Sequence, residues 1–192
     1  MRIERIVTNV KTLGPGNRLC IWVNGCKRGC KGCVSKELQP VMLETEGKIE
    51  DFLEGFNLKK VDGVTISGGE PFEQIDELKK LINILVDEKI KDILVYTGYT
   101  LEELLVMENE NVSFILNNIS VLIDGPYILE LDDQKNNLKG SKNQKIHYLK
   151  IEYKQIYDDY ITNTRSMQEF EMANILLGVG IPTKEYIEDF KK

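Results

Sequence analysis

The sequence predicts an α/β fold in which a parallel sheet carries helices packed on its outside. Three observations point there. Segments of strand length recur at 19–23, 61–67, 93–96 and 121–123, and the first is apolar without alternation, as strands buried on both faces are. Segments with helical spacing of apolar residues lie between these runs. Polar or glycine residues follow the runs, namely Cys26, Gly68, Thr97 and Asp124. That C-terminal edge is where parallel α/β sheets and barrels bind ligands.

The elements follow in order. Residues 2–8 (RIERIVT) form a first short strand, and Gly14-Pro15-Gly16 a turn. Leu19-Cys20-Ile21-Trp22-Val23 is a second strand and runs directly into a loop holding Cys26, Cys30 and Cys33. Residues 46–56 set Ile49, Phe52, Leu53 and Phe56 on one helical face. The strand at 61–67 (VDGVTIS) ends in Gly68-Gly69-Glu70-Pro71. Ile75, Leu78, Leu81, Ile82 and Leu85 recur at helical spacing and predict an amphipathic helix through residue 88. The strand at 93–96 ends at Thr97-Gly98-Tyr99, a short helix follows near 100–107, and Val121-Leu122-Ile123 ends at Asp124-Gly125-Pro126-Tyr127. Strands alternating with helices imply a parallel sheet.

Past residue 128 the pattern weakens. Residues 135–154 hold six lysines against one glutamate, 146–151 read as another strand, and 155–192 as an add-on with helical ends. The expected organisation is a core over 1–150 with a C-terminal extension, 151–192, packed on the same domain.

Composition sets the class. With 192 residues, 42% apolar and 29% charged, the chain buries a core without help from disulfides. A net charge of −6, from 31 acidic against 25 basic residues, disfavours bulk binding to nucleic acid or an anionic membrane. No apolar run approaches the roughly 20 residues that cross a bilayer, and the N-terminus has no secretory apolar core. A cytoplasmic protein with reduced thiols is expected.

Three of the four cysteines share one loop. In a reducing compartment, clustered cysteines are metal ligands or catalytic groups more often than disulfides. Structural zinc asks for four protein ligands, yet Cys20 lies inside a buried strand and His147 stands far downstream as a packed histidine. In an iron–sulfur cubane each thiolate holds one iron, so three cysteines leave one iron without a protein ligand. A three-sulfur catalytic zinc and a non-catalytic electron carrier are the alternatives. Gly29 and Gly32 let the loop curl round a compact core. Lys27, Arg28 and Lys31 favour thiolates over thiols and offer a docking point for an acidic electron donor, or form an ordinary solvated loop. Glu70 offers an acceptor for an ammonium group beside glycines that admit a close ligand, or the segment is a strand-ending turn.

The spacing Cys26-x-x-x-Cys30-x-x-Cys33 resembles the signature of the radical S-adenosylmethionine superfamily, and Ser67-Gly68-Gly69-Glu70-Pro71 resembles its GGE(P) motif. Gly14-Pro15-Gly16-x-Arg18, Trp22-Val23-Asn24-Gly25-Cys26, Thr97-Gly98-Tyr99, Leu122-Ile123-Asp124-Gly125 and Gly140-Ser141-x-Asn143-Gln144 are together similar to activating enzymes of glycyl radical enzymes, above all the anaerobic ribonucleotide reductase activases. The resemblance covers residues 1 to about 150.

The resemblance implies a 4Fe–4S cluster on Cys26, Cys30 and Cys33, with S-adenosylmethionine chelating the open iron. It also implies reductive cleavage of that cofactor to a 5′-deoxyadenosyl radical, which abstracts hydrogen from a glycine of a partner enzyme. Gly68, Gly69 and Glu70 are implied as cofactor-binding, as are Thr97 and Asp124 toward the ribose or a monovalent cation beside it. No catalytic side chain is assigned. The implied partners are a glycyl radical enzyme and a flavodoxin-like or ferredoxin-like electron donor, with no nucleic acid and no membrane.

A complete eight-unit barrel takes about 250 residues, so an open, partial TIM-like barrel of five to six βα units is expected. Leu13 departs from the acid or amide that related activases carry before the glycine turn, at a position associated with the target peptide. A peptide or small-molecule target for the same radical chemistry is therefore the alternative.

Overall fold

The computed structural model describes residues 1–172 and 175–189. The expected add-on at 155–192 includes 173, 174 and 190–192, which lie outside the described residues.

Six strands form one sheet in the order of the chain: β1 (Ile3–Val10), β2 (Arg18–Val23), β3 (Gly63–Gly68), β4 (Ile93–Tyr96), β5 (Val121–Asp124) and β6 (Lys145–Tyr148). Strands β2 to β5 are mutually parallel, whereas β1 and β6 pair antiparallel at the two edges. The fold is therefore α/β with a mostly parallel sheet. The parallel run has four strands, fewer than the five to six βα units expected. At each end the chain returns in the opposite sense and ends the run, through a short turn between β1 and β2 and a long irregular segment between β5 and β6.

One face of the sheet is covered by α1 (Ile49–Leu53), α2 (Ile75–Asp87), α3 (Leu101–Val106) and α4 (Glu110–Asn118). Helix α2 forms because Leu78, Leu81, Ile82 and Leu85 fall on one stripe, and all four are fully buried. They meet Leu19, Ile21, Val23, Val64, Ile66, Ile93, Val95 and Leu122 from the sheet. Thr100 and Glu103 close a reciprocal cap at the start of α3. Asn109 accepts from the Asn111 and Val112 N–H groups at the start of α4.

The alternate residues of the same strands point to the opposite face, since side chains switch sides at each step. There the C-terminal part of the chain covers them with α5 (Lys154–Ile161) and the hairpin β7 (Gln168–Met172) and β8 (Ile175–Val179), and α6 (Lys184–Asp189) follows, with Tyr186 against the hairpin. Cys20 and Trp22 pack with Leu13, Leu38, Val179, Phe170 and Leu177. Leu94, Val121 and Ile123 pack with Leu138, Tyr157 and Ile161. Leu13 is a core residue on this side, and its carbonyl accepts from the Thr65 hydroxyl at 2.7 Å. The anticipated strands up to residue 123, the helix through residue 88 and the short helix near 100 stand, whereas the strand expected over 146–151 ends at Tyr148 and the helix expected over 46–56 shortens to Ile49–Leu53. The separate α4 and the β7–β8 hairpin lie where only connection or helical ends were expected.

Candidate functional site

Strand β2 ends at Val23, and the cysteine loop is pinned at its base. The Gly25 N–H donates to the Leu38 carbonyl at 2.8 Å and the Cys26 N–H to the Gln39 carbonyl at 2.8 Å. Strand β3 ends against this loop at very close range. The Gly69 N–H donates to Val23 O at 2.7 Å and the Glu70 N–H to Gly25 O at 2.9 Å. A Cβ at Gly68 would lie 2.2 Å from Val23 O, and one at Gly69 would lie 2.5 Å from Gly25 O. Two glycines are thus needed here to let two backbones cross.

Cys26, Cys30 and Cys33 are free thiols, each half-buried, and all three line one cavity together with Gly68, Gly69, Glu70 and Thr97. Seven of the eight sequence-predicted site residues therefore converge on the C-terminal edge of β3 and β4. Asp124 does not line the cavity. Its Oδ2 accepts from the Leu101 N–H at 2.7 Å and its Oδ1 from the Lys145 N–H at 3.2 Å. His147 Nε2 sits 2.8 Å from Asp124 Oδ2, without the alignment of a hydrogen bond. His147 is thus a packed partner of the strand end. Asn143 donates to Pro126 O at 2.7 Å, and Gln144 spans Gly125 O and the Gly140 N–H. Both amides therefore serve the backbone of an irregular segment.

Glu70 is 1% exposed. Its Oε1 accepts from Thr97 Oγ1 at 2.8 Å and from the Phe72 N–H at 3.0 Å, and its Oε2 from the Gly98 N–H at 2.7 Å. Burial pushes this carboxyl up, while the N–H of Gly98, the Thr97 hydroxyl, the N–H of Phe72 and the charge of Arg28 pull it down. A carboxylate has about four lone-pair sites. Three are used within the fold, one on Oε2 is unspent, and the residue lines the cavity.

At Cys26 and Cys33 the groups that oppose burial are not the side chains of the loop cations. Burial pushes the Cys26 thiol up, Glu70 and Glu73 add to that, and the opposing groups are the backbone N–H groups of Arg28 and Gly29. Burial likewise raises Cys33, against the Ser35 N–H and the Gln39 side chain. The cations are turned elsewhere. Arg28 stacks over the Tyr99 ring at 4.1 Å and pairs with Glu103 at 2.7 Å. Lys31 is 84% exposed and faces Glu130 at 3.9 Å. The side-chain charges order the loop's outer rim, and metal must displace the thiol protons on binding.

The donor set suits an iron–sulfur cluster. Three free thiols, soft ligands of the kind that hold iron in such clusters, surround one cavity. Among the described residues no three His, Cys, Asp or Glu side chains are gathered as the ligands of a single ion, whereas a cluster takes one thiolate at each of several corners. Tyr127, Gln39 and Ile181 also line the cavity, and sequence reasoning singled out none of them. Tyr127 alone had a signal, standing two residues beyond a strand-ending glycine.

An independent comparison reaches the same class. A family model described as a 4Fe-4S single cluster domain matches residues 12–147. The anaerobic ribonucleoside-triphosphate reductase-activating protein of Escherichia coli (strain K12) is 33% identical over 146 residues, covering 71% of this chain and 92% of that protein. Its counterpart in Vibrio cholerae serotype O1 is 34% identical over 144 residues, covering 70% and 89%. That of Enterobacteria phage T4 is 29% identical over 154 residues, covering 76% and 93%. The chain belongs to the family of anaerobic ribonucleoside-triphosphate reductase-activating proteins.

Proposed function

We propose that the chain is a radical S-adenosylmethionine activase whose target is a glycine of a partner glycyl radical enzyme of the anaerobic ribonucleotide reductase type. One observation carries the reading: three free thiols and the Gly68-Gly69-Glu70 turn line a single cavity at the C-terminal edge of the parallel strands. When bound, the 4Fe–4S cluster and S-adenosylmethionine supply one-electron cleavage of the sulfonium to methionine and a 5′-deoxyadenosyl radical, which takes hydrogen from the target glycine.

The chain's own residues position and exclude. Cys26, Cys30 and Cys33 hold the cluster. Gly68 and Gly69 lay bare backbone beside the ligand, and the unused lone pair of Glu70 Oε2 accepts from an ammonium. Thr97 fixes that carboxylate through its 2.8 Å bond. Asp124 acts on cofactor placement by joining β5, β6 and the start of α3. No described helix is long and apolar enough to cross a membrane. We read the open sheet as a partial barrel, the chain as one unit with its 151–192 extension packed on the core, the protein as cytoplasmic, and the reductant as a flavodoxin-like or ferredoxin-like donor.

Anaerobic reconstitution with iron and sulfide should give about four irons per chain. Reduction with S-adenosylmethionine should then release 5′-deoxyadenosine, and the Cys30→Ala variant should release none. A glycyl electron paramagnetic resonance doublet in an added partner reductase completes the test. Recovery of intact cofactor from the reduced, reconstituted wild type would overturn the reading.

A further inference from the structure

The family match ends at residue 147, and 146 aligned residues already span 92% of the Escherichia coli relative. The chain beyond that point nonetheless reaches the site. Ile181, which follows β8, lines the cavity beside Cys33, Tyr127, Gly140 and Gln144. Among the described lining residues only Val34 and Ile181 are aliphatic. Val34 is 52% exposed on the cysteine loop, whereas Ile181 is half-buried and packs against the cluster containing Trp22 and Val179.

Ile181 is also braced. Arg165, its side chain 2% exposed, pairs with Asp132 at 2.8 Å. Its Nη1 donates to Pro182 O at 3.1 Å, its Nε to Asn136 O at 2.9 Å, and its Nη2 to Lys139 O at 2.8 Å and Gly140 O at 3.3 Å. One planar, rigid guanidinium therefore fixes the carbonyl next to Ile181 and the carbonyl of Gly140, two parts of the same wall. The Thr12 hydroxyl donates to Val179 O at 2.8 Å and holds the end of β8.

We propose that Ile181, positioned by Arg165, is the apolar wall against which S-adenosylmethionine packs, so that the C-terminal extension sets the affinity for the cofactor. This rests on the reading of the site given above. Small-ligand sites combine a few placed polar groups with apolar walls. Here the polar groups come from the ends of β3 and β4, and the held aliphatic surface comes from the extension.

The test is calorimetric titration of S-adenosylmethionine into the reconstituted full chain, kept oxidised so that the cofactor is not cleaved. Ile181→Ala should bind about tenfold more weakly, and Ile181→Val within about threefold of wild type. Arg165→Ala should weaken binding at least as much as Ile181→Ala, and the double variant no further than Arg165→Ala, because one residue acts through the other. Tyr160→Phe, which removes a 2.7 Å bond to Lys11 O away from the cavity, should lower the melting temperature and leave affinity unchanged. Unaltered affinity in Ile181→Ala, or affinity that falls equally in Tyr160→Phe, overturns this inference alone. No binding by the unaltered chain removes the reading of the site as well.

Discussion

At the N-terminal ends of the central strands, Arg18 donates to Thr65, Pro15, Asp92 and Val64, with the Asp92 contact at 2.6 Å. The Tyr157 hydroxyl closes the other side of Asp92 at 3.0 and 3.1 Å. At the C-terminal ends, Glu70 is as deeply buried, yet it keeps one acceptor site unspent and shares its cavity with three thiols free of any disulfide. Both ends bury charge. The difference is saturation: a charge whose partners are complete holds the fold together, whereas one left incomplete retains capacity for a ligand.

The sharpest way to break this comparison is to cut the saturated end. Arg18→Ala leaves Asp92 buried without its cation and should cost about 3–5 kcal/mol in urea denaturation. A loss below about 1 kcal/mol would mean that the network is no more than a surface pair. Next in size is Glu70→Gln. It sets an amide donor against the Gly98 N–H or the Phe72 N–H and should cost about 1–3 kcal/mol. Calorimetry should also show at least about tenfold weaker cofactor binding. Arg18→Ala, by contrast, should spare affinity in whatever fraction folds.

The third test uses pH. Burial holds the Cys20 thiol up near 12, from an ordinary 9.0. The unfolded chain therefore releases this proton first. The stabilisation is complete below about pH 9 and erodes as pH rises toward the folded value, by up to about 1.4 kcal/mol per unit. Urea midpoints taken on either side of pH 9 should fall on the alkaline side. Under native conditions, iodoacetamide should label the three loop cysteines of the cluster-free chain and spare Cys20, and rapid labelling of all four would contradict the burial.

The smallest effect belongs to the outer rim. Glu103 is held below the usual carboxylate range by the Thr100 N–H first and Arg28 second. Its contribution is present above that range and lost as pH falls. Exposed as it is, Glu103→Gln should cost about 0.5 kcal/mol or less, and added salt should shrink the difference.

Much of this was legible in the chain itself. The strands at 19–23, 93–96 and 121–123 announce themselves because residues buried on both faces must all be apolar. Helix α2 does so because its stripe repeats. The cysteine spacing and the Gly68-Gly69-Glu70 turn are local in sequence, so their convergence needed only the parallel order of two strands. Helix α4 was less visible: Asn109 to Asn118 is short and polar at both ends, and its apolar residues Val112, Ile115 and Leu116 acquire a direction only from the helix beside them. The cations of the loop misled because charge along the sequence says nothing of where a long side chain turns. Arg28 lines the cavity but spends its guanidinium on Tyr99 and Glu103.

By itself the sequence determined the alternation of strand and helix, the edge at which the site forms and the chemical identity of its ligands, because each depends on residues adjacent in the chain or repeating at a fixed period. Tertiary structure alone decided the rest: the antiparallel edges that end the parallel run, the sharing of Glu70 among Phe72, Thr97 and Gly98, the sealing of Arg18 by Asp92 and Tyr157, and the arrival of Ile181 at the cavity. These pairings join residues far apart in the chain, and an apolar or charged side chain carries no mark of its distant partner until packing brings the two surfaces together.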